Sequence, residues 1–225
     1  MGVGPGIELT GYPIIIDQLA LQGITNSRAF SLDLRSVDSP DGKTLLLPTR
    51  LILIKPGAII FGGIDTKKYK GSLEKCPIIP AASAPDEFDR FVVPHLAVFW
   101  VIANVFRYWI NMKSVGITKP GESPKIYPDS STPVFLDSGG TLSRLPTPIF
   151  NAIVADFPSA TLDAGGSGLY IVDCAVASQS GTVDFAFGST IIHVPYHEFI
   201  RFVPGSSLCT LGVAADDDAP VLGGK

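Results

Sequence analysis

Short apolar runs broken by turn residues set the rhythm of this chain. They read AFSLDL (29–34), GAIIFGGID (57–65), PVFL (133–136), GLYIVDC (168–174), GTVDFAFG (181–188) and STIIHVP (189–195). Each has the length of a strand and is bounded by Gly, Pro, Ser or Asp, which supply positive φ, a fixed φ or a side-chain hydrogen bond to a turn. In the fifth run Val183, Phe185 and Phe187 alternate with Thr182, Asp184 and Ala186. That period of two predicts a strand with the first set on a core face, in an antiparallel or mixed sheet. A helical period shows in two places. In PIIIDQLALQG (13–23), Ile16, Leu19 and Ala20 share a face and Gly23 suits the C′ position. In TPIFNAIVADFP (147–158), Thr147 reads as N-cap, Pro148 as the first helical residue, and Ile149, Ile153 and Phe157 as a buried stripe.

Composition narrows the class. Charged residues are 17% of the chain, against about 25% in an average soluble protein, and 23 glycines and 19 prolines punctuate it. These are the proportions of a turn-rich, all-β protein. The 225 residues suffice for one generous domain, and neither a repeat nor a linker divides them. A net charge of −4 argues against nucleic acid or an anionic membrane as partner, since neither attracts a weakly acidic surface. The opening MGVGPGIELTGYP lacks the charged and apolar regions of an export signal. The stretch FVVPHLAVFWVIANVF (91–106) is an atypical apolar insertion. Pro94, His95 and Asn104 interrupt it, and its 16 residues fall short of the roughly 20 a spanning helix needs. It reads as a buried strand–turn–strand or, alternatively, as a translated intron, with no membrane partner.

Several polar groups suggest chemistry and do not sustain it. His193 and His197, with Glu198 adjacent, have the spacing of a zinc helix, but the intervening Pro195 disfavours helix, and they read as strand-end histidines with no metal. GVGPG (2–6) lacks the third glycine and acidic residue of a dinucleotide fingerprint, so no cofactor follows. DDD (216–218) reads as a solvated loop, and Cys76 as a half-buried thiol beside Pro77. Cys174 and Cys209 stand 35 positions apart, and the residues alone leave their pairing open.

One stretch goes further. In PVFLDSGGTLSRLP (133–146) an aspartate, Asp137, sits in a Ser–Gly turn at the tip of a hydrophobic strand. Asp-Ser-Gly alone is a common turn. A second apolar-apolar-Gly tripeptide, Val221-Leu222-Gly223, follows 84 positions after Asp137. Such a pair lets one strand pass through the loop of another, with glycine permitting close backbone approach.

With FGGIDTKKYKGSL (61–73), PVFLDSGGTLSRLPTPIF (133–150), VDC (172–174), GTVDFAFG (181–188), HVPYHEF (193–199), CTLGV (209–213) and PVLG (220–223), the chain resembles the C-terminal lobe of a pepsin-like (family A1) aspartic endopeptidase of the fungal secreted kind, over most of residues 11–223. The resemblance implies an all-β lobe, a β-rich half barrel with two or three short helices, occupying residues 1–225. It makes Asp137 a catalytic aspartate, has Ser138 help hold the catalytic loops together, and lines the substrate cleft with Gly139, Gly140 and Thr141. Gly140 departs from the threonine or serine often found there, which removes a substrate hydrogen bond worth about 1 kcal/mol. The resemblance also pairs Cys174 with Cys209, names polypeptide as substrate, needs no cofactor, and implies a secreted, cell-surface or vacuolar location.

That chemistry needs two carboxylates. DSPDG (38–42), DTKK (65–68) and DAGG (163–166) lack the required pattern, and the family's flap with its tyrosine is absent. The resemblance therefore implies that the partner of Asp137 belongs to a missing N-terminal lobe, of which residues 1–10 are a remnant. The chain alone is then an inactive fragment. The alternative is a catalytically inactive, peptide-binding lobe of the same fold, working by β-pairing along its cleft edge.

Overall fold

The structure, a computed structural model, describes residues 13–33, 43–47, 50–54, 57–69, 71–80, 83, 85, 108–203 and 208–223. The apolar insertion 91–106 and the GVGPG stretch lie outside the described residues. Contacts divide the chain into two compact units, residues 1–73 with 100–107, and residues 74–99 with 108–225.

In the first unit, helix α1 (Ile15–Leu21) forms where the period of 3.6 predicts it. Asp17 accepts the Ile14 N–H at 3.2 Å, satisfying a donor that the helix start leaves without an intrahelical partner. Gly23 takes φ +69, and the Gly23 and Ile24 N–H groups donate to the carbonyls of Ala20 and Leu19, the Schellman arrangement that only a residue free of Cβ adopts readily. Strand β1 (Phe30–Asp33) pairs antiparallel with β4 (Ala58–Phe61), Phe30 opposite Phe61. Strands β2 (Lys43–Leu47) and β3 (Arg50–Ile54) form an antiparallel pair in a stretch to which the sequence analysis assigned no element. Asp65, the acid of DTKK, caps a single helical turn at Thr66–Lys68 by accepting the Lys67 N–H at 3.0 Å.

The second unit is built on three sheets. One orders β13 (Thr190–Pro195), β12 (Thr182–Phe187), β6 (Ser114–Thr118) and β7 (Lys125–Ile126), all antiparallel. A second orders β10 (Thr161–Leu162), β11 (Tyr170–Val172), β15 (Cys209–Leu211) and β14 (Ile200–Phe202). The third orders β16 (Val213–Ala215), β9 (Ser143–Leu145), β17 (Val221–Gly223), β8 (Thr132–Asp137) and β5 (Trp109–Met112). It is mixed, because β16 runs parallel to β9 and β17 parallel to β8. With α2 (Thr147–Ala155) and the one-turn α3 (Tyr196–Phe199), the described residues hold three short α-helices among mostly β structure, the expected fold class.

Val183, Phe185 and Phe187 enter the core as their alternation requires, joined by Ile149 and Ile153 of α2 and by Phe157, which lies just past the end of that helix. Val115, Val134, Leu145, Ile200 and Leu211 fill the space between. Cys76 is half-buried against this cluster, as expected.

Two local readings are corrected. Thr147 is the first residue of α2 rather than its cap; Pro146 precedes it in extended conformation. Thr147 gives both its N–H and its hydroxyl to Asp217, each at 2.7 Å, so the cap comes from a residue 70 positions away. His197 lies within α3, not at a strand end, since Pro195 fits the position before a helix and leaves Tyr196 free to begin one.

Candidate active site

The loop that carries Asp137 is shaped by its two strands. Strand β8 is pinned along one edge by β5, with Trp109 opposite Phe135 and Ile110 opposite Val134, and the Trp109 and Phe135 rings 6.0 Å apart. On its other edge lies β17, in register Val221 to Phe135, Leu222 to Leu136 and Gly223 to Asp137. Strand β9 leaves the loop on the far side of β17, meeting it at Val221 and Arg144. The chain therefore descends β8, turns at 138–142, and returns one strand further over, with β17 threaded through the gap. Gly223 is what fits there: a Cβ at that position would stand 2.7 Å from the Leu142 carbonyl oxygen and 2.9 Å from that of Gly140.

Within the loop Asp137 folds back on its own turn. Its Oδ1 accepts the Gly139 N–H at 2.8 Å, and the Gly140 N–H donates to the Asp137 carbonyl at 3.2 Å. Side chains at the two glycines would crowd the carboxylate, since a Cβ on Gly139 would approach Oδ1 to 3.3 Å and one on Gly140 would approach Oδ2 to 3.1 Å. Ser138, Gly139 and Thr141 are exposed, and Asp137 and Gly140 half-buried. The structure thus brings Asp137, Ser138, Gly139, Gly140 and Thr141 together on one rigidly founded turn that presents a carboxylate. Cys174 and Cys209 lie apart from it, joined in a disulfide with Cα atoms 5.2 Å apart that ties the 3-10 turn Cys174–Ser178 to β15.

The other carboxylates have different settings. Asp163, the acid of DAGG, accepts from Ser167 Oγ at 2.6 Å and the Gly165 N–H at 3.0 Å in an exposed loop, and these bonds hold it below the usual carboxylate range. It has the same local turn as Asp137 but no strand paired to it as β17 is to β8. Asp216 and Asp217 of the DDD stretch are not merely solvated. Asp216 takes the Asp218 and Ala219 N–H groups and Arg144, while Asp217 caps α2.

Two clusters escaped the sequence reading. Asp184, buried on β12, accepts from Thr118 Oγ1 at 2.6 Å and Thr182 Oγ1 at 2.7 Å, and its Oδ1 lies 2.6 Å from His193 Nδ1 across the β12–β13 pair. Burial pushes its carboxyl up, and these three partners outweigh it and hold it below the usual range. Asp156, at the end of α2, meets Lys119 and Lys125 at 2.8 Å each and the Tyr127 hydroxyl at 3.0 Å. Burial raises it and the three donors lower it by more, for a net depression. The one available signal was an acid at a helix C-terminus, where the macrodipole opposes it and a cation is needed nearby. Among the described residues no group of three or more His, Cys, Asp or Glu is arranged to hold a metal.

A family model of eukaryotic aspartyl proteases matches residues 1–225. The chain belongs to the eukaryotic aspartyl protease family. Among its relatives, aspartic proteinase 3 of Saccharomyces cerevisiae is 25% identical over 222 residues, 98% of this chain and 32% of its own length. The probable aspartic-type endopeptidase opsB of Aspergillus fumigatus is 29% identical over 94% of this chain and 38% of its own. Secreted aspartic protease 5 of Candida albicans is 30% identical over 80% of this chain and 32% of its own. This aspartyl protease chain therefore spans about a third of the length of the relatives it matches.

Proposed function

We propose that this chain works as the second lobe of an acid endopeptidase, with Asp137 as one of two carboxylates that activate water against a peptide bond. The observation that carries the reading is the Asp137 turn itself: a carboxylate held by the Gly139 N–H, on a strand threaded by β17, in a chain of the aspartyl protease family. Two carboxylates within about 3 Å cannot both ionise, so they share a proton; one member then takes a proton from water while the pair protonates the scissile carbonyl. Pepsin-type enzymes are the reference case of this coupling. Asp137 supplies one carboxylate, and the other is assigned to an N-terminal lobe outside this chain. Gly139, Gly140 and Thr141 form the exposed rim against which an extended polypeptide lies, and Ser138 offers its hydroxyl to the opposing loop. The chemistry uses side chains and water and requires no cofactor. Secreted relatives and the Cys174–Cys209 disulfide support a secreted, cell-surface or vacuolar location, where thiols oxidise.

The test joins this chain to the N-terminal lobe of a relative such as secreted aspartic protease 5 and follows cleavage of an unfolded protein between about pH 3 and 5. Turnover that a pepstatin-like analogue blocks and Asp137→Asn abolishes is the expected result, with none from the 225-residue chain alone. Analogue-sensitive turnover by the chain alone would instead establish a self-sufficient dimer. A folded two-lobe protein that binds extended peptide without cleaving it would establish the binding-lobe alternative.

A further inference from the structure

The geometry points to Asp217 as a positioning residue for the Asp137 loop, acting through the register of β17. Strands β16 and β17 flank β9 on opposite sides and run antiparallel to each other, so residues 216–220 must arch over the end of β9. That arch is fixed to the start of α2 and the end of β9 at several points. Asp217 accepts the Thr147 N–H and hydroxyl, at 2.7 Å each. The Asp216 N–H donates to the Leu145 carbonyl at 2.9 Å, and Arg144 reaches the Asp216 carboxylate at 3.3 Å. Beyond the arch the Phe135 N–H donates to the Pro220 carbonyl at 3.0 Å, and three residues later Gly223 stands opposite Asp137.

Register matters here more than in an ordinary strand. Only a glycine fits beside the Gly140 and Leu142 carbonyls, so a one-residue slip toward the end of β17 would bring Leu222 against them. Such a slip also turns each side chain of β17 to the other face. By fixing the arch, Asp217 determines which residue of β17 meets the loop, and so how tightly the loop closes on the Asp137 carboxylate. Its consequence for catalysis rests on the reading of Asp137 given above; its consequence for the loop does not.

The experiment uses the 225-residue chain and amide hydrogen exchange by NMR, so it needs no activity. Losing a cap that fixes this arch should speed exchange at Gly139, Gly140 and Gly223 by about tenfold in Asp217→Ala and shift the Gly139 resonance, which reports the bond to Asp137. Thr147→Val, which keeps the N–H bond and loses only the hydroxyl, should give a smaller change of the same kind. Asp163→Ala, which removes a turn acceptor of the same chemistry on another sheet, should leave these amides unmoved. If Asp217→Ala or Thr147→Val loosens α2 while Gly139 keeps its shift and exchange rate, Asp217 is a helix cap and nothing more. Should Asp217→Ala fail to fold, Thr147→Val decides the matter by the same two criteria.

Discussion

Removing the Asp156 carboxylate should destabilise the second unit by about 2 kcal/mol and abolish part of the stability it loses in acid. The magnitude follows from what each partner does after Asp156→Ala. The Lys119 and Lys125 side chains are 33% and 58% exposed, so their ammonium groups regain water and lose little. The Tyr127 hydroxyl cannot do the same: the residue is 3% exposed, and a stranded buried donor costs about 1–3 kcal/mol. A shift in melting temperature of about 5 °C is expected for a chain of this size. Asp156→Asn separates charge from hydrogen bonding, since the amide oxygen still accepts from Tyr127. The pH dependence has a definite sign. A carboxyl held below its ordinary value stabilises fully at neutral pH, and that contribution fades as the pH falls from the unfolded value through the depressed folded one. Wild type and Asp156→Asn should therefore differ most near neutrality and converge at strongly acid pH. Urea denaturation between about pH 2 and 7 measures the difference. Parallel curves across that range would show that the carboxylate contributes no linked stability and that burial cancels the three donors.

Two further outcomes are expected. Gly223→Ala places a methyl within 3 Å of two backbone carbonyls and should cost about 1–3 kcal/mol, with exchange accelerated at Gly139 and Gly140 before the remote β12 amides; a neutral substitution would mean the loop yields freely. Thiol alkylation in denaturant without reductant should modify Cys76 alone, and three labelled thiols would exclude the Cys174–Cys209 bridge.

Much of this architecture is legible in residue order because its signals are local. The β12 alternation, the α2 stripe, the Gly23 cap and the Asp137 turn each depend on residues within a few positions of one another. What stayed hidden depends on residues brought together by pairing. Thr147 reads as an N-cap because Thr is a good one, and nothing nearby shows that Asp217 takes the role across 70 positions. Asp184 reads as the solvent side of β12, yet Thr118 and His193 come from the strands on either side and make its burial tolerable. Asp156 is similar, its lysines standing at the two ends of the β6–β7 turn. The threading of β17 was suggested by its glycine, but its parallel register with β8 follows from the arch over β9, which no short window contains.

That threading also sets a clock on synthesis. Strands β8 and β9 are consecutive in the chain yet separated in the sheet by the width of one more strand, a slot of nearly 10 Å between them. The slot is filled by residues 84 positions after Asp137, which at about 5–20 residues per second reach the growing chain some 4–17 s later. During that interval the Asp137 loop has nothing between its two arms and no means of taking its final shape. The carboxylate is made early and positioned late, so a nascent chain carries Asp137 for seconds before the strand that closes its loop exists.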